Sequence, residues 1–155
     1  MTTLSSTKFD IKKLIPQREP FMMVDGFEEG EGNSAVTTLC VSPNNYFMLP
    51  DGTMAETGLI EHLAQSCSAL AGANAFARKA PLAEAVSPIN GDTLPPIGLI
   101  GEVKHFKCYR RPRTGEKVRS TVTFGLTFGN VTLATGQAYV DEELIADINL
   151  KIFMQ

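Results

Sequence analysis

The sequence predicts an α+β fold in which a mostly antiparallel sheet wraps around one long helix. A single helical pattern, about 40 Å long at 1.5 Å per residue, runs from Thr53 to Lys79. Segments rich in β-branched residues or with alternating polarity flank it, two before and four after. Strands that are separated in this way from one helix are typical of the α+β class. The six predicted strands are 21–27, 34–41, 97–109, 116–128, 131–140 and 144–153.

The predicted elements before the helix are short. Residues 8–16 predict a short helical turn that ends at Pro16, and Pro20 begins the extended segment that follows. Glycines at 30 and 32 predict a turn between the first two strands.

The helix is expected to be enclosed by other structure. Thr53 and Glu56 have the spacing of a capping box at its start. Small residues occur on nearly every side of it, so that other backbone can approach closely. Glu61 and Gln65 lie one turn apart in a polar line along one face. Because an unpaired buried charge is costly, Glu61 is the first candidate for a functional role.

After the helix, residues 80–96 predict a long loop rich in proline, and Gly129-Asn130 predicts a hairpin turn. All 155 residues fit one domain, 1–155. A single layer of sheet leaves part of the helix uncovered, so we expect a dimer or a higher oligomer of dimers.

Composition excludes several functional classes. The net charge of −3 argues against general binding of nucleic acid, and no apolar run is long enough to span a membrane. Three widely spaced cysteines predict neither a disulfide framework nor a metal site. The start of the chain, Met1–Lys8, lacks a signal peptide's apolar run, and we expect a cytoplasmic protein with reduced thiols.

Seven of the 14 cationic residues fall between positions 104 and 119. One interpretation is an ordinary solvated strand pair and turn. The other is a docking surface for an acidic partner. The residues assigned to that surface are Lys104, Lys107, Arg110, Arg111 and Arg113.

Three segments resemble the hot-dog-fold 3-hydroxyacyl-[acyl-carrier-protein] dehydratases, the FabZ-like group. LIPQREPFMMVD, from Leu14 to Asp25, resembles the motif L-x-P-H-R-x-P-x-x-x-V-D. GLIEHLAQS, from Gly58 to Ser66, resembles the helix segment E-A-M-A-Q. KHFKCYRRPRTGEKV, from Lys104 to Val118, resembles a strand followed by R-x-P-x-x-P-G-D. The resemblance is greatest to the divergent branch from aryl-polyene-type pigment clusters.

This resemblance implies a hot-dog fold and the elimination of water from a 3-hydroxyacyl thioester, in fatty-acid or polyene-type biosynthesis. The substrate would be carried on phosphopantetheine of acyl carrier protein or of coenzyme A, with no other cofactor and no metal. In the family, a loop histidine and a helix carboxylate from different subunits form the site at a dimer interface. Backbone N–H groups at the start of the helix polarise the carbonyl.

The chain departs from this pattern at its histidines. Glu61 and Gln65 match the helix motif, but the position of the loop histidine is occupied by Phe47. The histidine of the first motif is replaced by Gln17. His62 and Asp51 are weaker catalytic candidates. The favoured role of His62 is a hydrogen-bonded helix or interface histidine, and the ordinary role of Asp51 is the Asp-Gly turn before the helix. Two assemblies stay open: a homodimer or higher oligomer of dimers that is active by itself, and a heterodimer in which a related dehydratase supplies the missing histidine.

The substrate-binding candidates are Phe47, Gly58, Leu59 and Gln65, with Gly58 and Leu59 as donors to the thioester carbonyl. Phe47 has pocket wall or core as its ordinary role, and Gly58 close packing. His105 is expected to be structural or near the basic surface. Two other functions stay open: an acyl thioesterase that uses the helix carboxylate, and a non-catalytic partner subunit.

Overall fold

The computed structural model describes residues 9–83 and 98–154, which contain one long helix and one six-stranded antiparallel sheet. The strand order is β1-β2-β4-β5-β6-β3, so β1 and β3 are the edges. The helix α1 is Glu56–Ala83, and a short 3-10 helix covers Ile11–Lys13. The strands are β1 Gly26–Glu29, β2 Ser34–Cys40, β3 Gly98–Cys108, β4 Lys117–Phe128, β5 Val131–Val140 and β6 Glu143–Met154. The prediction of a long helix with an antiparallel sheet is confirmed.

Alternating burial shows which face of the sheet holds the helix. In β2 every second residue is buried, and β4 begins with the same alternation. The inward residues share rows across the sheet: Thr37 pairs with Ser120, and Ser120 pairs with Ala138. The apolar inward side chains, among them Ala138, belong to one core with α1 residues such as Leu59 and Leu63. The polar members of these rows matter for the site described below.

The helix begins later than the sequence predicts. Thr53 is not its N-cap, because the Thr53 hydroxyl donates to Asp51 Oδ1 at 2.6 Å and accepts from Arg111 Nε at 3.0 Å. The first turn instead starts at Glu56, with the Ala55 carbonyl accepting from the Gly58 N–H. The predicted capping box was therefore wrong, since tertiary partners occupy the threonine hydroxyl.

Other boundaries also differ. The helix continues to Ala83, so the first part of the predicted loop 80–96 is helical; the rest lies outside the described residues. The first strand begins at Gly26, not at residue 21. The preceding segment, 21–25, is irregular, and side chains of the helix take up several of its backbone groups. All three cysteines are free.

Close packing of the N-terminal segment on α1 depends on Gly72. A Cβ added there would overlap the Leu14 carbonyl oxygen and lie 3.1 Å from Leu14 Cα. We expect Gly72→Ala to lower the free energy of unfolding by about 1–3 kcal/mol, because backbone must move to admit the methyl group. This loss exceeds the gain in helix propensity. Urea unfolding followed by circular dichroism measures it.

The matched control is Gly125→Ala on β4, where the nearest atom to an added Cβ is 3.7 Å away. That variant is expected to change stability by no more than about 1 kcal/mol. Equal losses in the two variants would contradict the packing argument.

Candidate functional site

The centre of the candidate site is a pair of side chains one turn apart on α1. Gln65 Nε2 donates to Glu61 Oε1 at 2.7 Å. Gln65 is buried, and Glu61 is half-buried. The polar line predicted from the sequence therefore places these two groups in direct contact, with the carboxylate at the more open end.

Backbone of the N-terminal segment fixes the orientation of the Gln65 amide. Gln65 Oε1 accepts from the Met23 N–H at 2.6 Å, and Gln65 Nε2 donates to the Phe21 carbonyl at 2.7 Å. Because a backbone N–H only donates and a carbonyl only accepts, the amide has one possible orientation. Its second N–H is thus directed at Glu61, whose Oε1 is held as an acceptor.

Phe21, in the segment whose backbone holds Gln65, belongs to a row of three aromatic rings. Phe21 and Tyr46 meet edge to face with ring centroids 4.9 Å apart, and Tyr46 meets Phe47 at 5.4 Å. Phe21 and Tyr46 are 49% and 60% exposed, whereas Phe47 is half-buried. Such geometry is favourable for aromatic pairs. The three rings form an aromatic cluster that includes Phe21, the residue whose carbonyl accepts from Gln65.

Gly58 and Leu59 are both buried. A Cβ added at Gly58 would lie 2.7 Å from Phe47 Cβ and 2.9 Å from Met54 Cγ, so the glycine permits close packing. Its N–H donates to the Ala55 carbonyl at 2.9 Å and is already engaged. Leu59 is part of the hydrophobic core.

Asp51 is exposed and tied into the turn before the helix. Its carboxylate accepts from the N–H and the hydroxyl of Thr53, and it forms an ion pair with Arg111 at 3.0 Å. The hydrogen bonds from Thr53, with a smaller contribution from Arg111, hold the pKa of Asp51 below its usual value. A carboxylate held in its charged form in this way is a poor proton acceptor.

Asp51→Asn is therefore expected to leave the rate of the complete assembly that contains this chain within about twofold of the rate with the unmodified chain. Steady-state kinetics on the two assemblies measures it. A fall of a hundredfold with the fold intact would instead assign Asp51 a catalytic role.

His62 lies in the interior with both ring nitrogens occupied. Nδ1 is 2.7 Å from the Met23 carbonyl, and Nε2 is 2.9 Å from Ser120 Oγ. Burial lowers the pKa of His62 to about 4, outweighing the opposing effects of the Met23 hydrogen bond and the charge of Asp25. Since a carbonyl only accepts, neutral His62 carries its hydrogen on Nδ1 and accepts from Ser120.

Sequence reasoning missed the partners of this histidine. Ser120 occupies an inward position of β4 between two buried valines, Val118 and Val122. A second buried contact joins Thr37 and Ser66, whose hydroxyl oxygens are 2.8 Å apart. A polar residue in the inward register of a strand was the available signal for both Ser120 and Thr37.

The predicted basic surface contains two arginines in ion pairs and three exposed cations. Arg110 contacts Glu116 at 2.8 Å and Glu143 at 3.1 Å, and Arg111 pairs with Asp51. The hydrogen bond from Arg110 holds the pKa of Glu116 low. Three of the predicted docking residues have exposed side chains: Lys104, Lys107 and Arg113.

His105 lies at this surface. Its Nε2 is 2.8 Å from Asp147 Oδ1, and Tyr109 donates to the other oxygen of Asp147.

Among the described residues there is no group of three or more side chains that is able to hold a metal ion. No helix in the described part of the chain is long and apolar enough to cross a membrane.

Comparison with known proteins defines the class. The family model named ApeP-like, described as ApeP dehydratase, matches residues 9–86. That match covers 78 of the 155 residues. The chain therefore belongs to the ApeP-like dehydratase family. No curated protein matches the sequence significantly.

Solved structures show the same hot-dog fold. One from the dehydratase heterocomplex ApeI:P of Xenorhabdus doucetiae has a TM-score of 0.78 at 14% identity, covering 95% of this chain and 91% of that one. A putative thioesterase from Ralstonia eutropha has a TM-score of 0.57 at 15% identity, with 83% of each chain covered. A hypothetical thioesterase from Streptococcus pneumoniae, solved with coenzyme A, has a TM-score of 0.60 at 9% identity, covering 83% of this chain and 84% of that one. The predicted fold is confirmed.

Proposed function

We propose that this chain is the carboxylate-bearing subunit of a dehydratase that removes water from 3-hydroxyacyl thioesters. The observation that supports the proposal is the orientation of Glu61 by Gln65, which is itself fixed by two backbone groups of the N-terminal segment. The carboxylate thus has a defined direction at a partly open position on the helix, as a proton-transferring group requires.

Dehydration requires two proton transfers, and we assign one of them to Glu61. A base removes a proton from the carbon next to the thioester carbonyl, and the electron pair forms the new carbon–carbon double bond. The bond between the third carbon and its hydroxyl oxygen breaks at the same time. Glu61, in its acid form, protonates that oxygen, and water leaves.

The base is proposed to come from a partner subunit. The chain has two histidines; His62 is enclosed in the core and His105 contacts Asp147 on the outer part of the sheet. A homodimer brings only second copies of the same two residues. The structural similarity to a chain of a dehydratase heterocomplex supports a heterodimer with a related hot-dog subunit that carries the loop histidine.

The edge strand β3 is the proposed site of subunit pairing. Among the described strands it pairs only with β6, and its residues 100–105 are exposed. An unpaired edge of this length is a ready template for a strand of another subunit.

The substrate is proposed to arrive on acyl carrier protein. Lys104, Lys107 and Arg113 are exposed close to the turn that joins β3 to β4, and Arg113 forms a backbone bridge to Thr53 before the helix. These cations suit an acidic carrier, whose phosphopantetheine arm would reach the helix start. We place the reaction in the cytoplasm, in fatty-acid or polyene-type biosynthesis.

The test is a mass-spectrometric assay with a 3-hydroxyacyl carrier-protein thioester. The chain alone, a hot-dog subunit carrying the loop histidine alone, and their mixture are compared. We expect the loss of one water, 18 mass units, only in the mixture. Loss of water with the chain alone would reject the need for the partner. No loss in any mixture, with the thioester still bound, would favour a non-catalytic binding subunit. A parallel arm with the coenzyme A thioester distinguishes the two carriers.

A thioesterase is the second candidate, because solved structures described as thioesterases share the fold. A single carboxylate such as Glu61 is able to act as the general base for hydrolysis. The same samples distinguish it. Hydrolysis releases a free thiol and regenerates the unacylated carrier, whereas dehydration keeps the thioester intact.

A further inference from the structure

A continuous series of hydrogen bonds leads from β4 to the proposed catalytic carboxylate. Ser120 donates to His62 Nε2, and His62 Nδ1 donates to the Met23 carbonyl. The N–H of the same residue, Met23, donates to Gln65 Oε1, and Gln65 donates to Glu61 Oε1. His62 and Gln65 therefore hold one residue of the N-terminal segment from its two backbone groups.

The direction of every bond in this series is forced. The Met23 carbonyl only accepts, so the hydrogen of His62 is on Nδ1. Burial keeps His62 neutral, because it lowers the pKa to about 4, and Nε2 is then an acceptor for the Ser120 hydroxyl. The Met23 N–H only donates, so Gln65 turns its oxygen to it and an amide hydrogen to Glu61.

This directionality distinguishes the two oxygens of Glu61. Oε1 already accepts the amide hydrogen of Gln65 at 2.7 Å, and this favours Oε2 as the oxygen that carries the acid proton. We propose that His62 is a positioning residue that, through Met23 and Gln65, keeps Oε1 of Glu61 as an acceptor and reserves Oε2 for the proton given to the substrate hydroxyl. The inference rests on the proposed function of Glu61, but not on His62 touching substrate.

The mechanism of positioning is local. Without the Nδ1–H donor, the Met23 carbonyl loses its partner and residues 21–23 are free to shift from the helix. Gln65 then loses its fixed orientation, and Glu61 Oε1 loses a donor of constant direction. A shift of about 1 Å in a reacting group is able to cost about a hundredfold in rate.

Two substitutions of His62 test the contacts of its two ring nitrogens one at a time. In His62→Asn the amide nitrogen occupies the place of Nδ1 and keeps a donor to Met23. In His62→Gln the amide occupies the place of Nε2 and keeps contact with Ser120 but not with Met23. Ser120→Ala is the control for a buried polar loss that leaves the bond to Met23 intact.

Turnover is measured on the assembled dehydratase. We expect His62→Gln to lower kcat by about 10- to 100-fold with KM changed less than about twofold. His62→Asn and Ser120→Ala are expected to keep kcat within about threefold, although both lower the thermal midpoint. The proposal is overturned if His62→Gln keeps full kcat, or if kcat falls in step with the thermal midpoint in all three variants.

Spectroscopy of this chain alone gives a readout independent of turnover. The ¹³C carboxyl signal of Glu61 and the side-chain amide signals of Gln65 are expected to shift in His62→Gln and to stay unchanged in Ser120→Ala. Unchanged signals in both variants reject the positioning role.

If neither histidine variant folds, ¹⁵N spectra of the unmodified chain test the proposal, because a hydrogen on Nε2 of His62 in place of Nδ1 rejects the proposed direction of its hydrogen bonds. If these signals behave as expected while no assembly shows turnover, the proposed function fails and the hydrogen-bonded series remains.

Discussion

Glu61→Gln is expected to reduce dehydration by about 10²- to 10⁴-fold, the usual contribution of one general acid or base. The glutamine has the shape of the glutamate, and its Oε1 still accepts from Gln65, so the contact at 2.7 Å is preserved. What is lost is the acidic proton that the leaving hydroxyl requires. The mass-spectrometric assay on the assembled dehydratase measures the fall in kcat.

The control for this variant is its stability. Because the shape and the acceptor are retained, the urea midpoint of Glu61→Gln is expected to match that of the unmodified chain. Binding of the unreacted thioester is also expected to persist. Near-normal turnover by a folded Glu61→Gln protein would remove the carboxylate from the mechanism and leave the chain a structural role in the complex.

The fold was predictable because its main signals are local. Alternation in β4 and β5, the turn at Gly129-Asn130 and the long helical pattern are all readable within a few residues. The polar line on the helix also identified Glu61 and Gln65 correctly as neighbours. Periodicity thus reports both an element and the residues that share its face.

The remaining features depend on distant partners. The hydroxyl of Thr53 has the right spacing for a cap, but Arg111, 58 positions later, competes for it. The two partners of the His62 ring lie 39 and 58 positions away along the chain. Local spacing contains no information on such contacts. For this reason His62 was a catalytic candidate in the sequence, whereas the structure encloses it in the core.

The Gln65 amide shows how the two kinds of information combine. Its position followed from helical spacing, but its orientation follows from Met23 and Phe21, which are more than 40 positions earlier. Only the orientation tells which atom faces Glu61. The chemistry of the candidate site therefore depends on the tertiary contact, although the sequence identified both residues.

Acidification from pH 7 to pH 5 is expected to destabilise the chain by about 2 kcal/mol through His62 alone. The pKa of this histidine falls from 6.5 in the unfolded chain to about 4 in the folded one, because burial disfavours the charged ring. Between these values the unfolded state binds one more proton than the folded state. The contribution of neutral His62 to stability is therefore fully present above about pH 6.5 and falls as the pH decreases. At pH 4 the free energy of unfolding is expected to be about 3 kcal/mol lower than at pH 7 through this group. Urea unfolding at a series of pH values measures it.

The window from pH 7 to pH 5 separates this effect from the carboxylates. Asp51, Glu116 and Asp147 have pKa values held low in the folded chain, so they contribute at lower pH. His62→Asn, which keeps the donor to Met23 but does not titrate, is expected to abolish the dependence, whereas His105→Gln at the surface is expected to retain it. If the free energy of unfolding of the unmodified protein did not change between pH 7 and pH 5, His62 would take up its proton in the folded state as readily as in the unfolded chain. The bond from Ser120 would then be absent, because a charged imidazole has no nitrogen left to accept it.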